Sequence, residues 1–110
     1  MEEVKLQLLK KALEEKKAEN IIIYDVSKTS PICSYIIVCT MLNGRHGKAL
    51  ADACVEIQEK LGQTVRHIEG KEIDKWILVD LNDIIVHLFD ESERSKINLD
   101  GFITSVNKYV

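Results

Sequence analysis

The chain has 110 residues, of which 45% are hydrophobic and 30% charged, which predicts one globular domain over residues 1–110 and argues against disorder or a second domain. The formal net charge of −3 is uneven, because residues 69–110 carry nine acidic and five basic side chains. This imbalance disfavours a phosphate-binding surface for nucleic acid and suits a basic partner. No apolar run approaches the roughly 20 residues that span a bilayer, and residues 1–4 do not resemble a secretory signal, so we expect a cytoplasmic protein.

The first half of the chain alternates helical and strand-like patterns. Residues 2–18 carry a wide apolar stripe at helical spacing, which predicts a first helix. Residues 21–26 and 35–40 are apolar and rich in β-branched side chains, which predicts two strands, the second covered on both faces. Residues 45–61 return to helical spacing and precede Gly62, a residue type favoured at helix C-termini.

The three cysteines carry no sign of a metal site. Cys33, Cys39 and Cys54 are an odd count without paired metal-binding spacing. We therefore predict reduced, structural thiols and neither zinc nor a disulfide framework.

The second half predicts a short strand, a hairpin and a last helix. Residues 64–68 form a weak strand pattern, and residues 76–81 and 84–89 flank Asn82-Asp83, two residue types that suit a tight hairpin turn. Residues 90–94 are typical of a helix start, and residues 99–109 predict a short helix interrupted by Gly101. The predicted fold class is α/β, with a mixed β-sheet of about five strands and packed helices.

Pairing across the two-residue turn divides the hairpin into two faces. One face collects six aliphatic residues and is predicted to be core: Ile77, Val79, Leu81, Ile84, Val86 and Leu88. The other face pairs Asp80 with Ile85, Leu78 with His87, and Trp76 with Phe89.

Two interpretations of this second face stay open. In the first interpretation, helices cover this face and His87 is an interior histidine with satisfied hydrogen bonds. Alternatively, Trp76, beside the charged Asp74 and Lys75, anchors a protein interface. Asp80 and His87 could also hydrogen-bond to each other across the hairpin and only stabilise it.

At this hairpin the sequence resembles the ribosomal silencing factor (Iojap) family. That family's pattern is a Trp, aliphatic residues, an Asp, a short turn, Val-His and Phe, then an acidic stretch with Arg. Here the matching residues are Trp76, Asp80, Val86, His87, Phe89, Glu93 and Arg94. Upstream, the Glu69-Gly70 pair, the strand at 35–40 and the helix start at His46, Ala49 and Ala51 also match. The resemblance covers roughly residues 21–100.

The sequence departs from the family pattern at several positions. Ser34 stands where the family has Asp, and Met41 where it has Gly. After Arg94, the family's Phe-Tyr is replaced by Lys96-Ile97, and its final Leu-Glu and Leu-Trp are replaced by Leu99-Asp100 and Phe102-Ile103.

The resemblance implies a fold similar to the nucleotidyltransferases and a function in translation. It implies binding to the large ribosomal subunit at large-subunit ribosomal protein fourteen, which blocks joining of the small subunit and lowers translation when nutrients are short. We expect Trp76 to be the anchor of this contact. The full set of expected partner-binding residues is Glu69, Asp74, Lys75, Trp76, Leu78, Asp80, His87 and Arg94. A minor contact of Arg45, Lys48 or Arg66 with ribosomal RNA, and a homodimer, are further expectations.

Two alternative functions are an enzyme of the nucleotidyltransferase type and a ribosome assembly factor. A nucleotidyltransferase needs a Gly-Ser loop followed by paired carboxylates that hold magnesium. Residues 43–45 (Asn-Gly-Arg) lack the serine, and Asp80 and Asp83 on a hairpin are not expected to converge. The histidines and cysteines show no triad order. We therefore predict no catalytic residues, no metal and no cofactor.

Overall fold

The computed structural model describes residues 2–106, which form five strands and four helices. In chain order the elements are α1 (Glu2–Glu15), β1 (Glu19–Asp25), β2 (Tyr35–Thr40), α2 (Gly44–Lys60), β3 (His67–Glu69), β4 (Trp76–Asp80), β5 (Ile84–Phe89), α3 (Glu91–Ile97) and α4 (Leu99–Val106). The strands form one sheet in the order β1-β2-β5-β4-β3. Strands β2 and β5 are parallel, and the other neighbours are antiparallel. This confirms the predicted α/β class and the mixed sheet of five strands.

The main core lies between one face of the sheet and helices α1 and α2. Leu9 and Leu13 of α1, with Leu50 and Cys54 of α2, are fully buried there. The six aliphatic residues assigned to the core face of the hairpin also lie in this cluster, each at most 2% exposed. The period-2 pattern of the hairpin therefore predicted its buried face correctly.

The opposite face of the sheet is covered only in part. A second, smaller core joins Val38 of β2 and Phe89 of β5 to Ile103 of α4, all buried. Further along this face, Trp76 and Leu78 of β4 keep part of their surface exposed. We call this partly uncovered region, formed by β3, β4 and the adjoining side of β5, the open face.

Helix α1 and strand β3 have different bounds from those predicted. Helix α1 ends at Glu15 and not at residue 18, because Lys17 adopts a left-handed backbone (φ 69°) and the Ala18 N–H bonds to the Leu13 carbonyl. The strand predicted at 64–68 is His67–Glu69, which pairs with β4.

The tail holds two short helices where one was predicted. Asn98 has a left-handed backbone (φ 55°), and its N–H donates to the Arg94 carbonyl and so caps the C-terminus of α3. Gly101 does not interrupt α4; a Cβ there would lie 2.5 Å from Asn98 Nδ2, so glycine permits the close approach. The helix prediction for 107–109 lies outside the described residues. Within residues 2–106 no helix is both long and apolar enough to cross a membrane.

Candidate protein-binding site on the β4–β5 hairpin

The hairpin turn fixes how the candidate site is presented. Strands β4 and β5 pair in the predicted register, with Trp76 opposite Phe89 and Leu78 opposite His87. Asn82 takes the left-handed conformation (φ 75°), and its N–H donates to Asp80 Oδ1 at 2.9 Å. The Asp80 carboxylate thus stabilises the turn.

Trp76 is held against its neighbours and still partly exposed. Its indole lies 4.9 Å from the ring of Phe89, between centroids, and its Nε1–H donates to His87 Nδ1 at 3.1 Å. The side chain nevertheless keeps 36% of its surface exposed. The only hydrogen-bond donor of the indole is used within the protein, so the exposed part is available for apolar contact.

His87 is an interior histidine with a satisfied acceptor. It is 8% exposed and stacks over Phe89 with an interplanar angle of 9°. Burial lowers its pKa to about 4, although the carboxylate of Asp100 acts in the opposite direction. The ring is therefore neutral at pH 7. The interpretation of His87 as an interior residue is confirmed. The alternative hydrogen bond between Asp80 and His87 is wrong, because Asp80 Oδ1 accepts the Asn82 N–H and the imidazole accepts the Trp76 indole N–H.

A shallow pocket adjoins the exposed edge of Trp76. It is lined by Glu69, Gly70, Trp76 and Leu78. Glu69 pairs with Leu78 across β3 and β4, and a Cβ at Gly70 (φ 100°) would lie 2.6 Å from the Trp76 carbonyl oxygen. Glycine at position 70 thus brings the end of β3 against the start of β4. The result is an apolar depression with a carboxylate at its rim.

The loop before β4 adds charge beside the indole. Asp74 and Lys75 are both exposed. Asp74 Oδ2 accepts the Lys71 N–H at 2.7 Å, and the Lys75 carbonyl accepts the Asp90 N–H at 3.0 Å. These bonds order the loop that presents both charged side chains next to Trp76.

Arg94, the eighth predicted site residue, lies in a network that fastens the tail to the sheet. Its Nε and Nη2 donate to the two carboxylate oxygens of Asp100 at 3.0 Å each. Its Nη1 donates to the Asn20 carbonyl and to Thr40 Oγ1, both at 2.8 Å. All four of these guanidinium contacts stay within the protein and join α3 and α4 to the first two strands.

The residues considered for catalysis have structural partners. Asp80 caps the hairpin turn, whereas Asp83 forms an ion pair with Lys5. Cys39 and Cys54 are fully buried, and burial raises the pKa of the Cys39 thiol to about 12. In the part of the chain that the structure describes, no group of three or more His, Cys, Asp or Glu residues is arranged to hold a metal ion.

Lys5 is the structural residue that the sequence did not indicate. It lies among alternating Glu and Lys positions of a helix, yet it is fully buried and donates to Gln58, Gln63 and the Leu81 carbonyl. These partners lie 53 to 76 residues away, so no local spacing could have identified them.

Comparison with known proteins gives consistent matches over most of the chain. The family model described as "Ribosomal silencing factor during starvation" matches residues 1–108. The chain is 30% identical over 95 residues to ribosomal silencing factor RsfS of Halalkalibacterium halodurans, covering 86% of this chain and 81% of the relative. It is 32% identical over 95 residues to the same factor of Bacillus subtilis, covering 86% and 80%.

Solved structures agree with this match. A crystal structure of a protein from Chromobacterium violaceum aligns with a TM-score of 0.86 and 30% identity, over 92% of this chain and 84% of that one. A crystal structure from Bacillus halodurans aligns with a TM-score of 0.80 and 28% identity, over 93% and 94%.

Proposed function

The chain belongs to the family of ribosomal silencing factors that act during starvation, and from this we propose that it represses translation by occupying the large ribosomal subunit in the cytoplasm. The contact is made with large-subunit ribosomal protein fourteen, and it blocks joining of the small subunit. The mechanism is steric and involves no covalent step.

The observation that supports this proposal is the fixed, partly exposed indole of Trp76. Aromatic side chains that fill a partner's pocket contribute much of the affinity of protein interfaces. Trp76 is held by Phe89 and His87 in the free protein, so less conformational freedom is lost on binding. Leu78 and the adjoining pocket extend the apolar contact.

The charges around the indole favour a basic partner. Glu69 and Asp74 are exposed beside Trp76, and Asp80 is partly exposed further along β4. The same loop carries two positive charges, Lys71 and Lys75. Ribosomal proteins are commonly basic because they contact RNA phosphates. Acidic residues at the rim accelerate encounter with such a surface.

Two of the predicted site residues contribute from inside the protein. Arg94 holds α3 and α4 against the sheet through Asp100 and Thr40. His87 accepts the hydrogen bond of the Trp76 indole. Accessory contact of Arg45, Lys48 or Arg66 with ribosomal RNA, and a homodimer, stay predictions, as does the role in ribosome assembly considered as an alternative.

Co-sedimentation with isolated large and small subunits tests the proposal. We expect the wild type to pellet with large subunits only, and Trp76→Ala to bind about 30-fold more weakly, the size of a typical interface hot spot. Ile32→Ala is the matched control, since Ile32 is 65% exposed and lies near Asn82 and Asp83, at the opposite end of the hairpin from Trp76.

The possible results of the co-sedimentation distinguish an error in the proposed function from an error in the proposed binding site. A wild type that pellets with neither subunit would contradict the proposed function. Equal binding by the wild type and a folded Trp76→Ala would retain the function and place the contact elsewhere.

A further inference from the structure

The aromatic residues of the open face form a compact group in which each ring has a different exposure. Trp76 pairs directly with Phe89 across the hairpin and lies diagonal to His87. Ring centroids are 4.9 Å apart for Trp76 and Phe89, 5.9 Å for Trp76 and His87, and 6.1 Å for His87 and Phe89. Phe89 is fully buried, His87 is 8% exposed and Trp76 is 36% exposed.

We propose that His87 is a positioning residue, which fixes the orientation of the Trp76 indole for the partner without touching the partner itself. The inference rests on the proposed function, since it concerns the same surface. Its basis is the 3.1 Å hydrogen bond from Trp76 Nε1 to His87 Nδ1, together with the burial of the imidazole, which is 8% exposed.

The hydrogen bond selects one orientation of a side chain that is otherwise constrained on one side only. Phe89 packs against one side of the indole with the two ring planes inclined by 31°, and such an apolar contact tolerates rotation of the indole. The hydrogen bond to His87 Nδ1 at the ring edge prevents this rotation, because the indole has a single N–H. A partner therefore meets an ordered ring, and the entropy of ordering it is already lost.

The imidazole can play this role only as a neutral ring with its proton on Nε2. Nδ1 then offers a lone pair to the indole, whereas protonation would turn Nδ1 into a second donor. Asp100 of α4 is the charged group that acts on His87, and its own carboxylate is neutralised by Arg94. Val38 and Leu78, the strand neighbours of His87 on β2 and β4, are apolar. The neutral form thus dominates at the pH of the cytoplasm.

Two substitutions of His87 distinguish the effect of its hydrogen-bond acceptor from the effect of its ring shape on packing. His87→Phe keeps a flat ring for packing but removes the acceptor. His87→Asn is smaller but places a carbonyl oxygen near the position of Nδ1. Trp76→Phe is the reciprocal change, since it removes the donor and leaves His87 intact.

The free protein provides the first readout, independent of any ribosome. Trp76 is the only tryptophan in the chain, so one indole N–H resonance and one fluorescence signal report on it. We expect the indole N–H to exchange with solvent about tenfold faster in His87→Phe, the effect of losing one hydrogen bond. Exchange in His87→Asn should stay near the wild-type rate. Equal exchange in the wild type and His87→Phe would overturn the proposal.

Binding to isolated large subunits provides the second readout, in a double-mutant cycle. We expect His87→Phe to weaken binding about 3- to 10-fold when residue 76 is Trp. In the Trp76→Phe background the same change should alter binding by less than about twofold, because no donor is left to position. An equal loss in both backgrounds would show that His87 acts on the partner or on the fold, and would overturn the proposal.

Failure of the proposed function gives a different pattern. If the wild type binds no ribosomal subunit, the function is wrong, whereas the exchange measurement still decides whether His87 orients the indole. Thermal unfolding of each variant excludes loss of folding as the cause of a binding change.

Discussion

Replacing Asp83 by asparagine should destabilise the fold by about 3 kcal/mol, because it leaves the ammonium group of Lys5 buried without a counter-charge. Asp83 Oδ1 lies 2.5 Å from Lys5 Nζ, and the Lys5 side chain is 1% exposed while that of Asp83 is 25% exposed. The same ammonium donates to Gln58 Oε1 at 2.8 Å and to the Leu81 carbonyl at 3.0 Å. It thereby joins α1 to the turn of the hairpin.

The expected magnitude follows from what each substitution leaves unpaired. Removing one partner of a buried ion pair costs about 3–5 kcal/mol, and the lower end applies because the amide oxygen of an asparagine at position 83 would still accept a hydrogen bond. Lys5→Met removes the charge and leaves the buried Oε1 of Gln58 without its donor, at about 1–3 kcal/mol. In the double variant no buried charge remains, so the total should stay near about 2 kcal/mol, well below the sum of about 5 kcal/mol.

Urea unfolding monitored by the single tryptophan, at the other end of the hairpin, measures all three variants. The two single variants and the double variant form a double-mutant cycle. Its coupling free energy between Lys5 and Asp83 is the decisive quantity and is expected at about 3 kcal/mol. Additive effects of the two substitutions would refute the conclusion that Lys5 and Asp83 form an ion pair that matters for stability.

Three further predictions concern His87, Arg94 and the cysteines. The pKa of His87 is about 4 in the folded protein against about 6.5 in an unfolded chain, so unfolding takes up a proton in this window. Roughly 3 kcal/mol of stability present above pH 6.5 should be lost as the pH falls to 4, and His87→Phe should flatten that part of a thermal-unfolding profile; an unchanged profile would contradict the assignment. Arg94→Lys should cost about 1–3 kcal/mol and increase hydrogen exchange in α4, because lysine cannot reproduce the paired bonds to Asp100; unchanged exchange would refute this role. Cys39 and Cys54, buried with raised pKa values, should resist alkylation at pH 8 until denaturant is added, and labelling of the native protein would disprove their inertness.

The hairpin could be predicted because its determinants are local. Alternation with period 2 assigns the faces, and a two-residue turn at Asn82 fixes the register. The observed pairs Trp76–Phe89 and Val79–Val86 follow directly from that register. The mixed polar and apolar character of the open face was likewise visible in the sequence.

The polar contacts that fasten α1 and the tail to the sheet could not be predicted, because they join distant parts of the chain. Arg94 contacts Asn20 across 74 residues and Thr40 across 54, and Lys5 reaches the Leu81 carbonyl across 76. Hydrophobic periodicity carries no information on such polar pairs. The sequence predicted that Gly101 interrupts the last helix, whereas α4 continues through Gly101. The break lies instead at Asn98, whose left-handed backbone ends α3.

The proposed steric repression is tested most directly by the rate and extent of subunit joining, followed by light scattering after large and small subunits are mixed. Preincubation of large subunits with saturating wild-type protein should abolish most of the scattering increase. At the lowest wild-type concentration that gives this effect, Trp76→Ala should leave joining close to the rate without added protein, because it binds about 30-fold more weakly. Ile32→Ala should inhibit as the wild type does. Normal joining of large subunits that demonstrably carry the wild-type protein would contradict repression by occupancy.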